Sequence, residues 1–182
     1  MKPVLALLTV AIALSMSVNA ADEPVVIGDV SMPAIDSSDA FEQVKKRVGR
    51  WEGTQTQGLT GKVIDVSYEY KITSGGNTIT ETLVEDGVEM LTTYSDQNGE
   101  LVVKHYCALG TEPVFTVSSI SENALEVQLD QSASGLHADH DSFVTSMKWE
   151  TDADDNDAMV FSATLIIEGE ATENIAVLTR AP

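Results

Sequence analysis

Glu81, Thr92 and His105 are the residues whose types and spacing best fit a chemical site. They fall in three alternating stretches joined by Asp86-Gly87 and Asn98-Gly99, dipeptides that favour two-residue hairpin turns. With two-residue turns, Glu85 faces Val88, Leu83 faces Met90 and Glu81 faces Thr92. On the next hairpin Gln97 faces Glu100, Tyr94 faces Val103, Thr92 faces His105 and Met90 faces Cys107. Opposed residues share a face, and Ile79, Leu83, Met90, Leu101 and Val103 mark this face as apolar. A carboxylate, a hydroxyl and an imidazole then form a polar row on an apolar wall. Strands about 4.8 Å apart put Glu81 and His105 roughly 10 Å apart at the backbone, within convergence of their side chains. Three uses fit: a satisfied internal network that fixes register, contacts that orient a ligand, or proton transfer. The expected ligand-binding set is Glu81, Met90, Thr92, Tyr94, His105 and Cys107, with no catalytic residue assigned.

Other reactive residues carry weaker signals. Cys107, two positions from His105, has the residue types of a thiol–imidazole pair, but the spacing suits a buried wall thiol better. His137 and His140 form a His-x-x-His in a glycine-flanked segment, and with His105 they make a three-imidazole zinc set only if the fold brings them together. A surface loop is the favoured reading, so no metal and no cofactor is expected. Asp152, Asp154, Asp155 and Asp157 crowd one turn, but the glycine and the closing glutamate of a calcium loop are missing, and the turn reads as a solvated tip.

The elements that must position these residues are strands. Ile64, Val66, Tyr68, Tyr70 and Ile72 alternate with Asp65, Ser67, Glu69 and Lys71, a period of two. Further strands are expected at 51–57, 77–85, 88–95, 100–107, 113–120, 124–130, 142–150, 158–168 and 173–180, about ten in all. Met147, Trp149, Phe161 and Leu165 read as core wall. Before them Asp39 is placed to cap a short helix, with Glu42 as its reciprocal partner and Phe41, Val44, Val48 and Trp51 on one face, ended by Gly49. One-faced strands joined by tight turns bury that face and remove their edges by closing. The expected fold is an all-β, closed or nearly closed antiparallel meander barrel of about 8–10 strands, with the helix over one mouth.

Gly49-Arg50-Trp51 opens the first strand and Thr179-Arg180 closes the last, which resembles the calycin signature of lipocalins and their relatives. The resemblance implies that Arg180 lies over Trp51 and, with Gly49, shuts one end of the barrel. Glu89-Met90-Leu91-Thr92-Thr93-Tyr94, Asn98-Gly99-Glu100-Leu101 and Lys104-His105-Tyr106-Cys107 further resemble an uncharacterised bacterial group of lipocalin-like proteins with a strand ending His-Tyr-Cys. The likeness runs from about Phe41 to Arg180 and includes His137 to Trp149. It departs at Gly110-Thr111-Glu112-Pro113, where Gly-Asn-Gln-Pro is more usual. No activity is assigned to that group, so the resemblance speaks to fold.

Composition narrows the rest. The 182 residues carry 29 acidic side chains against 10 Lys plus Arg, a formal charge of −19. That balance disfavours nucleic acid and anionic lipid as partners. One cysteine excludes an intrachain disulfide and a multi-cysteine zinc site. Residues 1–20 read as a secretory signal peptide: Lys2, an uncharged run from Val4 to Met16, and Val18-Asn19-Ala20 at the cleavage point. The run falls short of the roughly 20 residues of a bilayer-spanning helix, so no membrane anchor is expected after cleavage. Residues 21–37 read as a loose leader and 38–182 as the barrel domain, exported to a bacterial periplasm or secreted. The preferred function is holding a small, partly apolar molecule inside the barrel. The alternatives are a small hydrolase or isomerase using His105 with Glu81 or Cys107, and an acidic protein-interaction module.

Overall fold

A computed structural model describes residues 26–31, 36–152 and 154–182. The signal-peptide reading therefore lies outside the described residues. The chain divides into two compact units at Ala34 and Ile35. In the first, strands β1 (Val26–Ile27) and β2 (Val30–Ser31) form a minimal antiparallel hairpin within the expected leader.

The second unit is built on helix α1 (Asp39–Lys45) and ten longer strands. These are β3 (Gly49–Thr56), β4 (Val63–Thr73), β5 (Thr78–Glu85), β6 (Val88–Gln97), β7 (Glu100–Tyr106) and β8 (Val114–Ile120). They continue as β9 (Ala124–Leu129), β10 (Phe143–Thr151), β11 (Ala158–Ile167) and β12 (Glu170–Arg180). Each pairs antiparallel with its sequence neighbour, and β12 pairs with β3 to close the ring. The expected all-β meander barrel is thus observed with ten strands. Closure leaves no edge strand in the barrel, which is why short strands of modest length suffice.

The turns set the register. Asp86 and Gly87 have φ of 47° and 83°, and Asn98 and Gly99 have 56° and 82°, so both hairpins close with two left-handed residues. Glu168-Gly169 forms a third turn of this kind, and β12 consequently begins at Glu170, three residues earlier than its alternation suggested. Ile72 departs from its expected buried face; it lies near the end of β4 and is 49% exposed.

The helix differs at both ends from the sequence expectation. Ser38, not Asp39, is the cap, its Oγ accepting from the Phe41 N–H at 3.2 Å. The helix stops at Lys45, and Trp51 belongs to β3. A second helix, α2 (Gln131–Ser134), lies in a stretch to which the sequence assigned no element; Asp130 caps it by accepting from Ser132 and Ala133. Its single turn is too short to show a period.

Strand directions put the ends of β3, β5, β7, β9 and β11 at one mouth and α1 at the other. At the helix mouth the Arg180 guanidinium carbon sits 4.3 Å from the Trp51 ring centroid. Its Nη1 donates to Val48 O at 2.9 Å and its Nη2 to Lys46 O at 3.1 Å. Gly49, at φ 120°, makes room: a Cβ there would lie 3.1 Å from Arg180 Nη1. The arrangement that the calycin resemblance implied for Gly49, Trp51 and Arg180 is present.

Candidate functional site

The barrel interior has two unlike halves. Near α1 it is filled by Phe41, Val44, Trp51, Tyr70, Tyr94 and Trp149, each 1% exposed or less. The half facing the other mouth encloses a cavity of about 300 Å³. Leu83, Met90, Val144, Met147, Phe161 and Leu165 supply much of its apolar wall, and Leu59, Thr60, Ala108 and Leu109 come from rim loops. Small-molecule sites combine such a wall with a few convergent polar groups.

The polar row falls on this wall in the expected register. Glu81 pairs with Thr92 and Thr92 with His105, and all three line the cavity. Met90 and Cys107 line it too, although the β6–β7 ladder ends at Leu91–Tyr106, one position short of them. Tyr94 shares the face but does not reach the cavity. It lies one layer deeper, fully buried against Trp149, with ring centroids 5.8 Å apart.

Each titratable member of the row is tied from behind. The Tyr94 hydroxyl donates to Glu81 Oε2. Thr92 Oγ1 lies 2.9 Å from His105 Nδ1. Among the described residues neither Glu81 Oε1 nor His105 Nε2 makes a side-chain hydrogen bond, and on the same wall Gln55 Nε2 is fully buried without a partner. Burial pushes Glu81 up to about 7, against the opposing pull of the Tyr94 hydrogen bond and the positive charge of Arg47. Burial pushes His105 the other way, down to about 4, so its imidazole is neutral at physiological pH.

Arg47, which sequence reasoning did not single out, belongs to this floor. It is 2% exposed, and its guanidinium carbon lies 5.1 Å from the Trp149 ring centroid. The Trp51 indole N–H donates to Arg47 O at 2.8 Å, anchoring the backbone there. Arg47 Nε and Nη1, Tyr70 Oη and Trp149 Nε1 are buried without hydrogen-bond partners among the described residues. A signal existed: Arg47 follows Phe41 and Val44 at helical spacing, so the third of three consecutive basic residues turns inward. Gln55 was also missed. It is fully buried, lines the cavity, and accepts from the Tyr68 hydroxyl at 3.4 Å. Its place on the inner face follows from alternation with Trp51 and Gly53.

The other candidates lie elsewhere or lack partners. Cys107 is half-buried and burial raises its thiol, with no hydrogen bond to His105. His137 and His140 lie in the exposed segment after α2, their rings 5.4 Å apart. Asp141 Oδ2 accepts from the His137 N–H at 2.9 Å and lies 3.5 Å from His140 Nε2. Among the described residues no three His, Cys, Asp or Glu side chains are grouped as a metal site, so the fold does not unite His105, His137 and His140. The acidic turn is closed by its own aspartates: the Asp154 N–H donates to Asp152 Oδ1 at 2.8 Å, and the Asp157 N–H to Asp155 Oδ1 at 2.9 Å.

No family model matches the chain, and no curated protein sequence matches it. Among solved structures, a redesigned β-barrel is similar at a TM-score of 0.39 and 10% identity, covering 77% of this chain and 96% of that one. A second, EF1p2_mFAP2b bound to DFHBI, is similar at a TM-score of 0.37 and 10% identity, covering 76% of this chain and 97% of that one. The class is set by the chain's own topology: a ten-stranded closed antiparallel barrel, filled at one end and hollow at the other. No helix among the described residues is long and apolar enough to cross a membrane.

Proposed function

We propose that this protein is exported and holds a small, partly apolar molecule in the open half of its barrel, oriented by Glu81, Thr92 and His105. The carrying observation is an apolar cavity of about 300 Å³ with Glu81 and His105 on its wall, each held from behind, and with Gln55 Nε2 buried there without a partner among the described residues. Unpaired buried polar groups are unfavourable, and a bound molecule that pairs with them relieves that penalty. The sequence of residues 1–20 supports export, and the His-Tyr-Cys strand supports membership of the uncharacterised bacterial lipocalin-like group. Native mass spectrometry of the exported protein, set against the denatured sample, tests this reading. An organic adduct lost on denaturation is expected, and His105→Leu should lose it while remaining folded. No adduct, together with no uptake of the neutral dye N-phenyl-1-naphthylamine, would overturn the proposal.

A second reading has its own observation. Two groups that burial shifts in opposite directions face one cavity, the arrangement that general acid–base catalysis uses. A small hydrolase or isomerase would show a bell-shaped pH dependence on a panel of simple esters and enolisable ketones, abolished in Glu81→Gln. A flat profile removes this reading.

A further inference from the structure

The cavity's inner end specifies what kind of polar group it accepts. Thr92 Oγ1 has one hydrogen-bond partner among the described residues, His105 Nδ1, and no carbonyl to which its hydroxyl can donate. In the pairing where that hydroxyl donates to Nδ1, which satisfies its proton within the wall, the neutral imidazole carries its own proton on Nε2. That nitrogen is then a donor toward the cavity. On the other side of Thr92, the Tyr94 hydroxyl donates to Glu81 Oε2, and Oε1 makes no side-chain hydrogen bond among the described residues.

The charge behind this pair matters as much. Arg47 is a cation buried within electrostatic reach of Glu81; in the floor cluster the Trp149 indole only donates, while the Tyr70 and Tyr94 hydroxyls can both donate and accept. The Glu81 carboxylate is the cluster's anion, and its negative charge balances Arg47. At this inner end a second net charge would enter without a counter-charge, which is strongly unfavourable; the other cavity-lining carboxylate, Glu85, lies at the outer end of β5.

Resting on the ligand-binding reading above, we propose that the cavity selects a neutral molecule whose inner end carries an N–H for Glu81 Oε1 beside a carbonyl for His105 Nε2: an amide or lactam on an apolar body. An ester supplies only the carbonyl. A carboxylate brings an acceptor to Glu81 and an unbalanced charge, and an alkylammonium leaves His105 unpaired.

The test uses the whole protein loaded with N-phenyl-1-naphthylamine at pH 8, displaced by octanamide, methyl octanoate, octanoate and octylamine. Octanamide is expected to bind at least tenfold tighter than each of the others. Glu81→Gln leaves Arg47 unbalanced, so octanoate should gain at least tenfold on octanamide. Arg47→Met leaves Glu81 unbalanced, so octylamine should gain instead, a second route if the first variant does not fold. Octanoate or octylamine binding tightest to the wild type, or an order unchanged by both variants, overturns the proposal. Dye uptake without preference for octanamide overturns this inference alone. Absence of both dye uptake and any native adduct overturns the ligand-binding reading as well.

Discussion

Thr92 Oγ1 and His105 Nδ1 lie 2.9 Å apart across the β6–β7 ladder, a contact that engages Nδ1 and leaves Nε2 without a protein partner among the described residues. Nitrogen-15 NMR of histidine-labelled protein should find His105 as the Nε2–H tautomer, unprotonated down to about pH 5, since burial holds it at about 4. Thr92→Val removes the directing hydroxyl and should mix the tautomers. A dominant Nδ1–H form in the wild type would contradict the assignment.

Glu81 and His105 should oppose each other in the pH dependence of stability. Glu81 is raised from 4.5 to about 7, so in that window the folded state binds the extra proton and stability falls as pH rises. His105 is lowered from 6.5 to about 4, so the unfolded state binds the extra proton and stability rises with pH. The two slopes offset each other between about pH 4.5 and 6.5. Relative to wild type, Glu81→Gln should expose a rising slope and His105→Gln a falling one, each approaching about 1.4 kcal/mol per pH unit. Urea titrations across pH 4–7.5 measure both; parallel curves for all three proteins would show the groups do not titrate this way.

Arg47 should hold Glu81 down. Removing its charge in Arg47→Met takes away one of the influences that oppose burial, so the Glu81 midpoint should rise above about 7 in a carbon-13 NMR titration. Stability at pH 5, where Glu81 is protonated, should change little, because an apolar residue replaces a cation with two unpartnered nitrogens. A lowered Glu81 midpoint would mean that Arg47 does not act on it.

The closed mouth depends on Arg180. Arg180→Ala loses the contact with Trp51 and hydrogen bonds to Val48 and Lys46 carbonyls, worth together about 2–3 kcal/mol in denaturant unfolding. Lysine should restore little, because it lacks the planar fork that reaches both carbonyls.

Gly53 is a position within β3 where the barrel wall tolerates no side chain. A Cβ there would fall 1.9 Å from Val177 O, a backbone atom of the neighbouring β12. Gly53→Ala should cost about 3 kcal/mol or more, read as a lowered midpoint in thermal melting, by forcing β3 and β12 apart. An unchanged melting temperature would mean the strands part freely.

Much of the barrel was legible from local features because those features are local in cause. Asp86-Gly87 and Asn98-Gly99 adopt left-handed dihedrals on their own account, and a two-residue turn leaves one register. That register, with period-two alternation, put Glu81, Thr92 and His105 on one face before any tertiary contact was known. The helix cap slipped by one residue because Ser38 and Asp39 both cap well, and neighbouring geometry chose between them.

Tertiary structure decided depth. Alternation tells inside from outside but not how far along the barrel axis a residue sits, so Tyr94 and Met90, four residues apart on one face, ended in the filled and hollow halves. It also decided company: Arg47 follows the helix in sequence and belongs to the Glu81 floor in space, and only the packing of α1 onto the closed mouth brings that charge inside. His137 and His140 stayed apart from His105 for the same reason, since the path of the loop after α2 is set by contacts that no spacing encodes.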